Sequence, residues 1–184
     1  MPSNCGAVGA DAFLQSRMED SIALLLIDLG NRLTRVGEAI SRRVDLTVQQ
    51  WMVLLQIAGD PNFPTAEAKR GLSGAVLSSR IAADRGVSRA LISATVSELM
   101  KRGLVVQSDD PKDRRRKQLT VTDSGVAALR DLQTARCFAN DRLLSDLDTH
   151  ERQTLSEQLA AMWERISHID ETLARFDDRQ SAAD

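Results

Sequence analysis

Apolar residues recur along this chain with two different periods, and the change of period divides it. Ile22, Leu26, Leu29, Leu33, Val36 and Ile40 fall at alternating spacings of four and three, the stripe of an amphipathic helix over residues 19–43. Near the other end Leu155, Leu159, Met162, Ile166, Ile169, Leu173 and Phe176 repeat the spacing over three heptads, which is a coiled-coil-like seam. Water satisfies neither stripe. The two long helices are therefore natural partners for each other or for a second copy of the chain, and a homodimer is the favoured expectation.

The middle of the chain is built from shorter units. Thr47 can cap a helix carrying Trp51, Leu54, Leu55 and Ala58, with Gly59 to end it. Residues 59–74 have no periodicity and contain Pro61, Pro64 and Gly71, so they read as a long exposed loop. Ser78 or Ser79 can then cap a short helix ending near Gly86, and Ser88 a second one over residues 89–102, closed by Gly103. Two helices joined by a tight glycine turn form a helix-turn-helix. In the second helix Ile92, Val96 and Leu99 share one face, while Arg89, Ala90, Ser93, Ala94 and Ser97 share the other. The apolar stripe marks a core-facing side; the small polar face suits a groove. The period then changes to two, with strands at 104–107 and 117–121 around an Asp109-Asp110-Pro111 turn.

Charge changes the picture only when it is divided along the chain. The 184 residues are 42% hydrophobic with a formal net charge of −2, yet residues 80–117 hold ten basic against five acidic side chains. Arg114, Arg115, Arg116 and Lys117 crowd the hairpin tip. Such a patch is either a solvated loop or the footprint of a polyanion, since neutralising phosphates releases condensed counterions. No apolar run approaches the roughly 20 residues of a membrane span, and the first ten residues lack the pattern of a signal peptide, so a cytoplasmic protein is expected. Cys5 and Cys137 have no CxxC spacing and read as bystander thiols.

Nothing nominates an enzyme. The two histidines, His150 and His168, have no partner at i+3 or i+4, and GxSxG, phosphate-loop and dinucleotide fingerprints are absent. No metal and no cofactor is expected. A helical dimer whose basic hairpin docks an acidic protein is the alternative to a nucleic-acid binder; strong salt dependence toward duplex DNA separates the two.

The segments LTVQQWMVL, RGVSRALISATVSELMKRGLV and DPKDRRRKQLTVTDSG, in that order between two long helices, resemble the MarR family of bacterial transcription regulators over roughly residues 20 to 175. The resemblance implies a mainly α fold with a small β-hairpin wing. It also implies a winged helix-turn-helix over 46–122 and a helical dimerisation region from 19–45 and 123–178. Residues 1–18 would form an N-terminal arm and 179–184 a flexible tail. Family members are homodimers on inverted repeats in double-stranded DNA. By position, Ser88, Arg89, Ala90, Ser93, Ala94 and Ser97 are then expected on DNA in the major groove, with Arg114, Arg115, Arg116 and Lys117 on the wing and Asp113 holding it. Three features depart from the family pattern: the longer 59–74 loop, Ala94 and Glu98 where many members carry arginine, and the extra segment at 11–17. Many members are repressors released by small aromatic or phenolic anions. Trp51 with Arg42 and Arg43 offers an aromatic wall and a carboxylate partner for such an effector, or Trp51 is a core anchor and the arginines are solvated. A redox-sensing subgroup uses an N-terminal cysteine with nearby tyrosines; this chain has no tyrosine.

Overall fold

The computed structural model describes residues 17–63, 77–109 and 117–181, with side chains of the last helix beyond Ile166 described only at Ile169 and Thr172. Among these residues six α-helices and one two-stranded antiparallel sheet follow in order: α1 (Met18–Ser41), α2 (Val48–Ile57), α3 (Ser78–Arg85), α4 (Arg89–Lys101), β1 (Val105–Asp109), β2 (Lys117–Val121), α5 (Asp123–Leu143) and α6 (Thr149–Ser181). A short 3-10 turn, Arg42–Val44, joins α1 to α2. The expected mainly helical fold with a hairpin wing is therefore present.

Local chemistry sets most of the boundaries. Thr47 and Gln50 form a capping box at the start of α2: Gln50 N donates to Thr47 Oγ1 at 3.1 Å, and Thr47 N donates to Gln50 Oε1 at 3.0 Å. Ser88 caps α4 by accepting from Leu91 N at 3.2 Å. Between α3 and α4 the chain reverses through Gly86, whose φ of +60° lies in the left-handed region that side chains disfavour. Val87 N then bonds Ala82 O and Gly86 N bonds Ala83 O, which satisfies the last carbonyls of α3.

Three sequence expectations need correction. Neither Ser78 nor Ser79 caps α3; they are its first two residues, the N-cap position is Leu77, and no side chain caps that end. The first helix stops at Ser41, because Arg42 to Val44 tighten into the 3-10 turn and Asp45 takes a left-handed φ of 56°. The first strand is Val105–Asp109, so Asp109 belongs to the ladder, opposite Lys117, and not to the turn.

The core lies among α2, α3, α4, the hairpin base and α5. Val53, Leu54, Ile81, Ile92, Leu99 and Leu119 are fully buried, and Leu132 of α5 closes the cluster. Two ties position its parts. Arg102, at the end of α4, donates to Val44 O at 2.9 Å and to Asp45 O, fixing that helix to the α1–α2 junction. At the base of the hairpin, Gly125 packs so closely that a Cβ there would lie 2.3 Å from Leu104 O and 2.6 Å from a methyl of Val121.

α1 and α6 are different. Leu26, Leu29 and Leu33 of the first stripe are 40–43% exposed, and Leu24, Leu25 and Ile27, off the stripe, are 63–66% exposed. On α6, Leu159, Met162, Trp163, Ile166 and Ile169 are 40–58% exposed. No helix among the described residues is long and apolar enough to cross a membrane.

Candidate functional site

Two surfaces carry candidate chemistry. The first is the outer face of α4. Its helical repeat buries Ile92, Thr95, Val96 and Leu99 against the core, which leaves Arg89, Ala90, Ser93, Ala94 and Ser97 exposed with the cap residue Ser88. Thr95 Oγ1 is turned inward and donates to Leu91 O at 2.9 Å. Glu98, on the exposed side, is paired with Lys101 at 2.7 Å, which draws the one acidic group of this helix toward its C-terminal end. Arg89 has no hydrogen bond or ion pair among the described residues. A cation beside a helix N-terminus, on a face of alanine and serine, admits close approach of an anionic surface, and the helix dipole reinforces the attraction.

Beside this helix the hairpin runs in register, Val105 opposite Val121, Gln107 opposite Leu119 and Asp109 opposite Lys117. Leu119 and Val105 point into the core and hold the ribbon at its base. Lys117 is exposed and ion-paired with Asp109. Asp113, Arg114, Arg115 and Arg116 lie outside the described residues.

The second surface is a cavity of about 630 Å³ between α1, α2, α5 and the Asn62–Phe63 turn. Its wall is mostly apolar, formed by Leu33, Val36, Ile40, Trp51, Leu55 and Phe63, with Asn62, Asn140, Arg136 and Arg142 as polar groups. That size and lining suit a small organic molecule. Trp51 is 7% exposed and belongs both to the core and to this wall; its indole Nε1 is buried without a hydrogen-bond partner among the described residues. Arg42 and Arg43 are exposed on the 3-10 turn and are not among the residues that line the cavity. The cations that do line it, Arg136 and Arg142, come from α5. A sequence signal for them exists: Leu132, Arg136, Ala139, Asn140 and Leu143 share one helical face, anchored by buried Leu132. That face becomes informative only once α5 is known to cross α1 and α2.

Arg136 Nη1 donates to Asp60 Oδ2 at 2.5 Å, and the two side chains are 20% and 8% exposed. Asp60 Oδ1 also accepts from Asn62 N at 2.9 Å and from Asn62 Nδ2 at 2.7 Å. Burial pushes the Asp60 carboxyl up, but the Arg136 and Asn62 hydrogen bonds and the guanidinium charge together outweigh it and hold the pKa below the usual carboxylate value. Among the described residues no group of three or more His, Cys, Asp or Glu could hold a metal ion. Cys137 is exposed on α5, and Cys5 lies outside the described residues.

Comparison with known proteins bears on the fold that carries both surfaces. A family model described as MarR family matches residues 44–116, the span that contains the helix-turn-helix. CouR from Rhodococcus jostii RHA1, solved bound to p-coumaroyl-CoA, is 23% identical with a TM-score of 0.67, covering 81% of this chain and 96% of that one. A mutant MarR from E. coli, complexed with operator DNA, is 19% identical with a TM-score of 0.60, covering 80% and 99%. A probable transcriptional regulator from Pseudomonas aeruginosa is 26% identical with a TM-score of 0.58, covering 79% and 99%. The matched span covers the helix-turn-helix and the first strand of the hairpin, so residues 44–116 match the MarR family, and the fold is shared with these structures over about four-fifths of the chain.

Proposed function

We propose that this regulator works as a homodimeric repressor. Its α4 enters the major groove through Ser88, Arg89, Ala90, Ser93, Ala94 and Ser97, and its wing reaches the flanking backbone through Arg114, Arg115, Arg116 and Lys117, steadied by Asp113. The observation that carries the reading is the outer face of α4: small side chains flank Arg89, which has no partner among the described residues, at the helix N-terminus. The apolar surface left open on α1 and α6 supports the dimer, and two-fold symmetry calls for an inverted repeat with half-sites about one helical turn, roughly 10 base pairs, apart.

The cavity at Trp51 is the proposed effector site, and a small molecule with an aromatic body is the proposed effector. It lies where the long terminal helices meet the winged half, so a ligand there can change their relative angle without touching the DNA face. The ligand shifts that equilibrium only by its differential affinity for the two geometries. That CouR, which is similar in fold, was solved bound to p-coumaroyl-CoA supports a ligand with an aromatic group.

Footprinting on the DNA upstream of the coding region tests the proposal. Symmetric protection of an inverted repeat is expected, and a monomer on a single half-site refutes it. Arg89→Ala is expected to cost about 1–3 kcal/mol on the preferred site and to relax specificity at one or two base pairs. Equal loss on specific and random DNA would reduce Arg89 to a phosphate contact.

A further inference from the structure

The C-terminal end of α4 is tied to α1 on one side and to α5 on the other. Arg102, the C-cap residue of α4, reaches the 3-10 turn that follows α1: Nη2 donates to Val44 O at 2.9 Å and Nη1 donates to Asp45 O. Carbonyls at the end of a helical segment have no partner within it. A guanidinium suits them because it brings several donors in a fixed fork and a positive charge to the negative end of the dipole. The Asp45 carboxylate, fully exposed and 3.8 Å from Nη2, is the lesser partner. Ser41 and Leu46, on either side of the turn, are buried, and Leu46 N bonds Ser41 O at 3.1 Å, so the turn that receives Arg102 is itself seated. One residue beyond Arg102, Gly103 O accepts from Thr122 Oγ1 at 2.6 Å, and the same hydroxyl oxygen accepts from Gly125 N at 3.1 Å as the cap of α5.

We propose that Arg102 is the positioning residue that fixes the angle of the winged half to the helices of the dimer, and thereby the half-site spacing that the protein accepts. The inference rests on the homodimer reading above and adds to it the residue that decides the spacing. Because α4 packs into one closed core with α2, α3 and β1, the winged half turns as a body. Beyond the chain connections themselves, the Gly103–Thr122 bond would leave it free to pivot about the start of α5. Arg102 adds a second tie, to a different helix, and two separated ties fix an angle. α4 spans 13 residues, so Arg89 lies about 20 Å from this joint at about 1.5 Å of rise per residue. A tilt of about 5° there moves Arg89 by roughly 2 Å, and opposed tilts in two protomers add to roughly 4 Å, close to the roughly 3.4 Å of one base-pair step. Arg102 therefore governs whether a displaced half-site can be followed. Its donors are turned to main-chain carbonyls at the end of α4 remote from Arg89, so it acts on DNA through geometry and not as a phosphate contact.

The test uses the full chain and duplexes carrying the inverted repeat protected in footprinting, as it stands and with one base pair inserted or removed at its centre; Kd is read by fluorescence anisotropy. The unsubstituted protein is expected to bind either altered duplex at least about tenfold more weakly, since half-site spacing mirrors the geometry of the dimer. In Arg102→Gln that ratio is expected to shrink at least about threefold, while the slope of log K against log salt is unchanged. A purely structural role would weaken binding to all three duplexes alike and leave the ratio where it was. Arg102→Lys, whose ammonium can still reach a carbonyl but lacks the fork, is expected to lie between the two, and it serves as the comparison should Arg102→Gln fold poorly. If the unsubstituted protein discriminates among the duplexes and the substitution keeps the ratio within twofold, or lowers the salt slope by about one as loss of a phosphate contact would, the joint is overturned and the homodimer reading stands. If the unsubstituted protein binds the three duplexes equally, or protects a single half-site, the homodimer reading fails and the joint with it.

Discussion

In the winged half of the molecule most of the large apolar side chains are covered by their own chain; along most of α1 and the described part of α6 they are not. Ile81, Ile92, Leu99 and Leu119 have no exposed surface, whereas Leu24, Leu25 and Ile27 of α1 keep about two-thirds of theirs. The two regions draw on the same residue types, so the difference is one of geometry. Three short helices and a hairpin fold around one another and close a core. A helix of 24 residues, such as α1, presents more apolar surface than its short neighbours can reach. α1 is apolar on more than one side near its start, and a helix of that kind is normally buried. The contrast teaches that stability of the winged half should be a property of one chain, and stability of the terminal helices a property of protomer concentration.

The largest effect is expected where the contrast depends on a second copy. Leu29→Lys together with Ile166→Lys places charges on both apolar seams and should weaken association by at least about 3 kcal/mol, because an unpaired charge in an apolar interface is strongly disfavoured. Sedimentation should then show a species of one-chain mass with the winged half still folded. Persistence of the dimer at micromolar protein would break the comparison.

The closed core can be attacked without touching those seams. Gly125→Ala forces a methyl against the Leu104 carbonyl and Val121, and overpacking of this kind should cost about 1–3 kcal/mol. Urea unfolding is the measurement, and the loss should be the same at all protein concentrations. A loss that grows on dilution would show that the base of the hairpin is coupled to association.

A smaller, pH-dependent effect is expected at the boundary between the two regions. The Asp60 pKa is lowered in the folded protein, so the folded state binds this proton less readily than the unfolded chain does. The ion pair therefore contributes stability at and above neutral pH. That contribution declines as the pH falls below the unfolded carboxylate value and is gone below the depressed folded value. Asp60→Asn should remove this part of the acid sensitivity, read as the difference in urea midpoint between the two proteins from pH 6 down to pH 3. Parallel midpoints over the whole range would show that the pair contributes nothing.

The smallest effect is reserved for the helix ends. Thr47→Ala removes one arm of the capping box and should destabilise the winged half by about 1 kcal/mol. Thermal unfolding at two protein concentrations would sharpen the contrast, since the shift should not depend on concentration.

Much of the fold was legible because its determinants are close together in sequence. Thr47 with Gln50, Ser88 with Leu91 and the turn at Gly86 are interactions within four residues or so, and the residue types alone specify them. The polar face of α4 was equally legible, since buried Ile92, Val96 and Leu99 fix which side remains outward. The start of α3 was not legible, because its N-cap position is Leu77 and no side chain caps that end, so no residue type marks it. Tertiary structure alone decided the contents of the cavity. It placed Trp51 in the wall, left Arg42 and Arg43 outside on a 3-10 turn, and brought Arg136 to Asp60 across 76 residues. No local pattern encodes that meeting, because it depends on the crossing of α5 over α1 and α2, and the crossing is fixed by the packed core as a whole.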